Sequence, residues 1–302
     1  MDVTKNILLT IGLILAGYAV ILLIMTLILK FKQKSVRKIW VRYFTWFLII
    51  PPILIPLIYS TILFQAVIFI ISFLAYREYA NVVGLWKDKY YSIFCYFGIS
   101  ATFAVVFFNR FGLFQVMPIY LIIFSLLIPI MRGEYEHMIQ KACLAILGVI
   151  YFGWFFAHIA FLKNVDNGVA YIFFMLILTE INDASAYIFG KLFGKNKLLP
   201  KISPKKTNEG FLGGLLITIG LSFLLKPITP QFTPLHRIIY AAIISVGGTC
   251  GDLVMSFIKR DLQIKDFGRI LPGHGGLMDR FDSVVFVAPL FFHLVNLFYG
   301  IV

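Results

Sequence analysis

The sequence has few charged residues, and it contains no polar stretch long enough for a soluble domain. Of its 302 residues only 14% are charged and 60% are hydrophobic, whereas soluble domains are roughly 25% charged and 45–50% apolar. The apolar residues form long runs such as 7–29 and 211–225. A helix that crosses the membrane core needs about 20 such residues. The composition therefore predicts an all-α polytopic membrane protein.

Cysteine is also scarce, and its spacing argues against a cysteine-based zinc site or redox motif. The three cysteines, Cys95, Cys143 and Cys250, lie in apolar stretches and have no metal-binding or redox spacing, so we interpret them as packing residues. The first apolar run is too long for a secretory signal and lacks a small-residue cleavage site. We expect it to be a retained helix.

Ten membrane spans are predicted, at 7–29, 44–59, 61–76, 91–108, 112–131, 142–162, 169–189, 211–225, 236–258 and 284–302. The short pair of spans at 44–59 and 61–76 is broken around Pro51, Pro52 and Pro56, so nine is the alternative count. The loops on one side carry 22 of the 27 Lys and Arg residues, and positive residues stay cytoplasmic. We therefore expect both termini to face away from the cytoplasm. We interpret the net charge of +13 as a signal of membrane topology together with an anion-binding site. No nucleic-acid partner is expected.

The two halves of the chain differ in where their polar residues lie. Residues 1–168 are interpreted as N-terminal transmembrane helices, whose scattered charges we expect to be mostly solvated; examples are Arg77, Glu78, Glu134 and Glu136. From Thr179 onward polar residues enter the spans themselves. Residues 169–302 are therefore interpreted as the catalytic transmembrane region, with its site at the cytoplasmic face.

Two spans contain carboxylates at membrane depth, where a charge costs at least about 2.5 kcal/mol. In one span Glu180, Asp183 and Tyr187 share a helical face. In another, Asp252, Ser256 and Lys259 share a face just after a glycine-rich run that permits close helix approach. We expect both faces to point into a site. The alternative for the first pair of carboxylates is that they lie at the membrane surface.

The segment 259–283 has the highest density of chemically active groups in the chain. Its four aspartates alternate with five basic residues around a Pro-Gly-His-Gly-Gly turn. Carboxylates suit Mg²⁺, basic residues suit phosphate oxygens, and glycines let backbone N–H groups approach an anion. His274 is either a proton-transfer group or a turn residue, and no second His or Cys lies near enough to suggest zinc. The pattern predicts a metal–polyphosphate site.

A lysine-rich segment, 195–210, precedes the eighth span. Lys191, Lys195 and Lys197 fit a topology anchor that binds lipid headgroups. The part from Ser203 to Gly210 combines hydroxyls, lysines and a glutamate directly before a glycine-rich helix, which favours a functional role.

These residues together resemble the phosphatidate cytidylyltransferase (CDP-diacylglycerol synthase) family. The match runs from Ser256 to Asp282, including Lys259-Arg260, Lys265-Asp266, Gly268, Leu271-Pro272-Gly273-His274-Gly275-Gly276 and Asp279-Arg280. Ser203-Pro204-Lys205-Lys206-Thr207-x-Glu209-Gly210 resembles a second family motif, and Asn182-Asp183-x-x-Ala186-Tyr187 a third. This chain has Asp183-Ala184-Ser185-Ala186 where the family usually has Asp-Thr/Ser-Gly-Ala.

The resemblance implies that a phosphatidate oxygen attacks the α-phosphorus of CTP and releases pyrophosphate. Mg²⁺ is implied at Asp252, Asp279 and Asp183, with room for a second ion such as K⁺. The implied catalytic set is Asp252, Asp279, Lys259, Arg260, Lys265, Asp266, His274, Arg280 and Asp282. The implied substrate-binding set is Asp183, Ser203, Lys205, Lys206, Glu209, Ser256, Gly275 and Gly276.

The expected partners are CTP, phosphatidic acid and the lipid bilayer, and a homodimer is compatible with the sequence. The expected location is the inner (cytoplasmic) membrane. Two alternatives stay open: a CTP-dependent polyprenol kinase, which transfers the γ-phosphoryl group, and an ion-coupled transporter using Glu180, Asp183 and Asp252. Transporter sites favour matched repeats, and the sequence has no internal repeat.

Overall fold

The computed structural model describes residues 5–10, 12, 19, 26, 51–268 and 276–302. Within these residues seven helices are long and apolar enough to cross a membrane, which confirms the polytopic helical class. Most of the predicted span 7–29 and residues 44–50 of the predicted span 44–59 lie outside the described residues, and residues 51–59 are helical.

The described helices follow one another closely along the chain. They are α1 (Thr61–Val83), α2 (Lys89–Phe107), α3 (Phe111–Arg132), α4 (Met138–Leu162), α5 (Gly168–Phe193), α6 (Asn208–Leu224), α7 (Pro234–Asp261) and α8 (Met278–Tyr299). Helix α4 contains a π-helical stretch, Val149–Phe155. Helix α6 is apolar but shorter than the others, with 17 residues.

Capping residues explain where several helices begin and end. The Thr233 side chain accepts a hydrogen bond from the His236 N–H, with Pro234 as the first helical residue of α7, a favoured helix start. Helix α1 ends at Gly84, whose φ of 81° is left-handed and suits glycine. Because α1 continues to this glycine, it runs seven residues past the end of the predicted span 61–76.

One departure from an all-helical chain lies between α5 and α6. Residues Lys197–Leu199 (β1) and Ser203–Thr207 (β2) form a two-stranded antiparallel hairpin. The sequence predicted only a loop here. The hairpin lies at the end of the bundle where α5 and α7 end and α8 begins.

Packing joins the two halves of the chain into one bundle. The most extensive helix interfaces join α5 to α6 and α7 to α8, and α8 also packs against α4. The apolar core is continuous and includes Phe156, Phe174, Met255 and Val285, all nearly inaccessible to solvent. The halves assigned from the sequence are therefore in direct contact.

Candidate active site

Three segments converge at one end of the bundle: the hairpin, the last turns of α7 and the first turns of α8. The Lys206 Nζ atom on β2 lies 2.7 Å from Asp252 Oδ2 on α7. Ser256, one turn further on, donates a hydrogen bond to Asp252 Oδ1 at 3.3 Å. The Arg260 Nε donates to the Ile202 carbonyl at 3.4 Å. The lysine-rich hairpin and the acidic helix therefore form one surface.

Local hydrogen bonds fix the hairpin to α6. The Thr207 hydroxyl caps α6 by accepting the Gly210 N–H at 3.1 Å. The Glu209 carboxylate accepts the backbone N–H groups of Lys195 and Asn196 at 3.1 Å. Hydrogen bonds from its own N–H and from these two residues lower the pKa of the Glu209 carboxyl. Glu209, predicted to bind substrate, thus holds the hairpin in place.

Close backbone packing places the carboxylates of α7 and α8 side by side. A Cβ on Gly251 would lie 2.5 Å from the Asp282 carbonyl oxygen and 2.7 Å from the Phe286 Cβ, so only glycine fits here. This contact brings Asp252 near Asp282, so the negative charges of the two carboxylates repel each other. The glycine-rich run therefore allows the close helix approach that the sequence predicted.

Asp183 joins the same region from α5. Its Oδ2 atom accepts a hydrogen bond from the Ser283 hydroxyl of α8 at 2.7 Å. The neighbouring Asn182 is buried and accepts a hydrogen bond from Thr218 of α6 at 3.3 Å. Asp183 is half-buried and lies within electrostatic range of Lys206 and Asp252. The third motif therefore belongs to the site formed by the other two.

Asp279, at the start of α8, is held tightly by its own contacts. Its Oδ1 atom lies 2.8 Å from Lys259 Nζ. Its Oδ2 atom accepts the N–H groups of Phe267 and Gly276 at 3.2 and 3.0 Å. Only 5% of its side chain is exposed, against 33% for Asp252. In this conformation Asp279 is bound to Lys259, Phe267 and Gly276, while Asp252 is more exposed.

The remaining predicted residues lie around this centre or outside the described residues. Ser203 is half-buried on the hairpin, and Gly276 is buried beside Asp279. Four further predicted side chains are exposed: Lys205, Lys265, Asp266 and Arg280. His274 and Gly275 lie outside the described residues.

Two residues of the N-terminal half also reach the site, and the sequence analysis missed both. Glu78 is an exception to the expectation that the scattered charges of that half are mostly solvated, since only 5% of it is exposed. Its Oε2 atom accepts the Met278 N–H at 3.1 Å. Tyr151, in the π-helical stretch of α4, donates to the Asp282 carbonyl at 3.4 Å. π-Helical insertions often accompany functional sites. No sequence pattern marks this insertion, so the sequence held no signal for Tyr151.

Substituting Gly251 by alanine should separate α7 from α8, because the new Cβ would collide with the backbone of Asp282. Overpacking of this kind costs about 1–3 kcal/mol, so the melting temperature in detergent and any activity of the site should both fall. Gly220→Ala is the matched control, since a Cβ there meets nothing within 4 Å. Equal behaviour of the two variants would show that the close approach is not required.

The described helices are long and apolar enough to cross a membrane, and carboxylates and lysines lie together at one end of the bundle. The model of the cytidylyltransferase family matches residues 40–298, which is most of the chain. The protein therefore belongs to the cytidylyltransferase family.

Individual relatives agree with this assignment. The chain is 34% identical over 238 residues to the uncharacterized protein YnbB of Escherichia coli K12, covering 75% of this chain and 77% of the relative. It is 42% identical over 154 residues to the phosphatidate cytidylyltransferase of Bacillus subtilis 168, covering 50% of this chain and 57% of that protein. It is 44% identical over 165 residues to the phosphatidate cytidylyltransferase of Staphylococcus epidermidis RP62A, covering 53% and 60%. The matches to the two named enzymes thus span less than two thirds of their lengths.

Proposed function

We propose that the protein is a CTP:phosphatidate cytidylyltransferase that produces CDP-diacylglycerol and pyrophosphate for phospholipid synthesis. The observation that carries the proposal is the meeting of Asp252, Lys206, Asp183 and Asp282 at one end of a membrane bundle. Family membership and the names of two relatives support the same reaction.

The proposed reaction needs no protein nucleophile. A phosphate oxygen of phosphatidate forms a bond to the α-phosphorus of CTP. The bond between that phosphorus and the α–β bridging oxygen breaks, and the electron pair leaves with pyrophosphate. Transfers of this kind depend mainly on positioning and on neutralising phosphate charge. Lysines beside carboxylates at a membrane surface supply both requirements.

Lys206 and Lys259 are the proposed phosphate contacts closest to the carboxylates. Each is paired with an aspartate, at 2.7 and 2.8 Å respectively, so its position is set in advance. Their side chains are 24% and 16% exposed, so neither side chain is fully buried. Arg260 and Lys205, both exposed, extend the basic surface outward. We propose that this surface holds the triphosphate against the acidic centre.

The oxygen donors fit Mg²⁺, which is part of the proposal. Asp183, Asp252 and Asp282 lie within electrostatic range of one another. The described residues contain no group of three or more His, Cys, Asp or Glu side chains that could by themselves hold a metal ion. Mg²⁺ usually takes one or two carboxylates and completes its shell with water and substrate phosphates. Asp252 and Asp183 would hold the ion, and Mg²⁺ bound there with CTP would neutralise phosphate charge. Asp279 would keep its contacts with Phe267 and Gly276.

The proposal also places the site on the cytoplasmic side of the bacterial inner membrane. The loops on its side of the bundle belong to the set that carries 22 of the 27 Lys and Arg residues. Positive loops remain cytoplasmic, which is also where CTP is available to a bacterial enzyme. Labelling of single introduced cysteines by an impermeant reagent in intact cells, at 201 and 230, tests this orientation.

The experiment that tests the proposed acceptor uses purified protein in detergent with CTP and Mg²⁺. Phosphatidate should trigger pyrophosphate release in proportion to a new CMP-bearing lipid. Phosphatidylglycerol is the matched control, because its phosphate is a diester and lacks the attacking monoester group. Equal pyrophosphate release with both lipids, or none with phosphatidate, would contradict the proposal.

A further inference from the structure

The first turn of α8 has no side-chain cap from its own N-cap residue. Its N-cap residue, Leu277, has helical dihedral angles and no side-chain cap hydrogen bond. The first N–H groups of a helix have no partner within the helix and need acceptors from elsewhere. This turn contains Asp279 and is followed by Asp282, so its position matters for the site.

Glu78 supplies the missing acceptor from the other half of the chain. It lies 200 residues earlier, near the end of α1, and its Oε2 atom accepts the Met278 N–H at 3.1 Å. A carboxylate at a helix N-terminus is favoured by the helix dipole as well as by the hydrogen bond. Burying a carboxylate is costly unless it is hydrogen-bonded. This cost favours a capping role for Glu78 over a purely packing role, which an apolar side chain would fill at a lower cost.

Two glycines on either side of residues 269–275, Gly268 and Gly276, lie close to this carboxylate. A Cβ on Gly268 would lie 2.1 Å from Glu78 Oε1, and a Cβ on Gly276 would lie 2.7 Å from Glu78 Oε2. Gly276 also donates its N–H to Asp279 at 3.0 Å. Two glycines of the signature therefore make room for Glu78, and one of them also orders Asp279.

A second contact holds the same turn from the opposite end. The Tyr151 hydroxyl donates to the carbonyl oxygen of Asp282 at 3.4 Å, and Tyr151 is buried in the π-helical stretch of α4. Glu78 and Tyr151 thus hold the two ends of the segment 278–282, both from the N-terminal half. That half does more than anchor the protein in the membrane.

We propose that Glu78 is a positioning residue that fixes the start of α8, and with it Asp279, for the reaction. It touches neither reacting atoms nor substrate. Its effect on turnover rests on the proposed function, whereas its effect on the α8 start does not. The proposal makes α1 part of the catalytic unit, which the division of the chain at residue 168 did not anticipate.

The first test compares Glu78→Gln and Glu78→Ala with Glu136→Gln, an exposed glutamate at the same end of the bundle. Since misplacing a catalytic group by about 1 Å can cost about 100-fold in rate, Glu78→Ala should lower kcat by about that factor. Glu78→Gln keeps an acceptor but loses the charge, so its kcat should fall about tenfold. The KM for CTP should stay within about threefold of wild type in both, as expected when no substrate contact is removed.

Hydrogen exchange of the 276–283 peptide provides a readout that does not depend on the reaction. In Glu78→Ala, loss of one hydrogen bond of about 1 kcal/mol should speed exchange of this peptide about fivefold. Exchange in peptides of α5 should stay at the wild-type rate. Uniformly faster exchange across the protein would reduce Glu78 to a folding residue and overturn the proposal.

The second test is a double-mutant cycle with Gly268. Gly268→Ala alone should impair turnover, because its Cβ would collide with Glu78 Oε1. Glu78→Ala removes that obstacle, so the double variant should be no slower than Glu78→Ala alone. Fully additive losses would show that the two residues do not share this space and would contradict the proposal.

The outcomes separate the two proposals. If wild-type protein forms no CMP-bearing lipid, the proposed function fails and the hydrogen-exchange comparison alone decides the role of Glu78. If wild-type protein is active while both Glu78 variants keep wild-type kcat and exchange, the role of Glu78 fails and the proposed function stands.

Discussion

Asp252→Asn is expected to lower turnover by at least about 10³-fold, because the change would remove a proposed Mg²⁺ ligand and with it several kcal/mol of transition-state stabilisation. Asp252 is one-third exposed and pairs with Lys206 at 2.7 Å, so it can bind a ligand without first being uncovered. Asparagine keeps the shape and can still accept the Ser256 hydroxyl, but it loses the charge. The measurement is kcat for pyrophosphate release in purified protein.

The control for this variant lies on the same helix. Asp261→Asn makes the same charge change at an exposed position at the end of α7, and it should keep wild-type turnover and expression. Asp252→Asn should also express and melt like wild type, because its side chain is open to solvent. Wild-type turnover in Asp252→Asn would remove this residue from the site.

Asp279→Asn is expected to reduce both turnover and stability, which distinguishes it from Asp252→Asn. The Asp279 side chain is 5% exposed and accepts one lysine and two backbone N–H groups. Leaving one member of a buried ion pair unpartnered costs about 3–5 kcal/mol. Because Lys259 is 16% exposed, we expect the lower end of that range, about 3 kcal/mol. The measurements are thermal melting in detergent and kcat.

Removing Lys259 as well separates the two effects. The double variant Asp279→Asn with Lys259→Met carries no unpaired buried charge, so it should melt closer to wild type than Asp279→Asn alone. Turnover should remain lost, because both the carboxylate and the proposed phosphate contact are absent. A double variant as unstable as Asp279→Asn would show that the ion pair does not stabilise the protein.

The sequence was most informative about the helices, because hydropathy depends on local composition. The predicted spans 169–189 and 236–258 lie within α5 and α7, which extend past them by a few residues at each end. The extra residues at the start of α7 follow from the Thr233–Pro234 cap, a recognisable signal. Span ends set by a positive-φ glycine such as Gly84 were harder to place, since that glycine stands among apolar residues that do not mark a loop.

The residues that share a site were only partly predictable. Asp183 and Asp252 were identified because a carboxylate within an apolar run is conspicuous. Glu78 was not, because it lies beside Arg77 near a predicted helix end, where charges are ordinary. Its burial comes from a contact across 200 residues, and no local pattern reports such a contact. The same holds for Tyr151, which is one of many aromatic residues in an apolar span.

The hairpin was missed for a different reason. Its strands are only three and five residues long, and Ser203-Pro-Lys-Lys-Thr207 has no apolar alternation. The Glu209 contacts to Lys195 and Asn196 hold it together from outside the ladder. The hairpin is therefore stabilised by its contacts with α6, and such contacts leave no periodic pattern in the sequence.

The central claim is that the site transfers CMP to phosphatidate, and the most direct measurement follows two labels of CTP in parallel. With the purified protein, Mg²⁺ and phosphatidate, label on the α-phosphorus should enter the lipid fraction. Label on the γ-phosphorus should appear only in pyrophosphate. Label from the γ-phosphorus in lipid, with CDP as the soluble product, would contradict the account and identify a kinase.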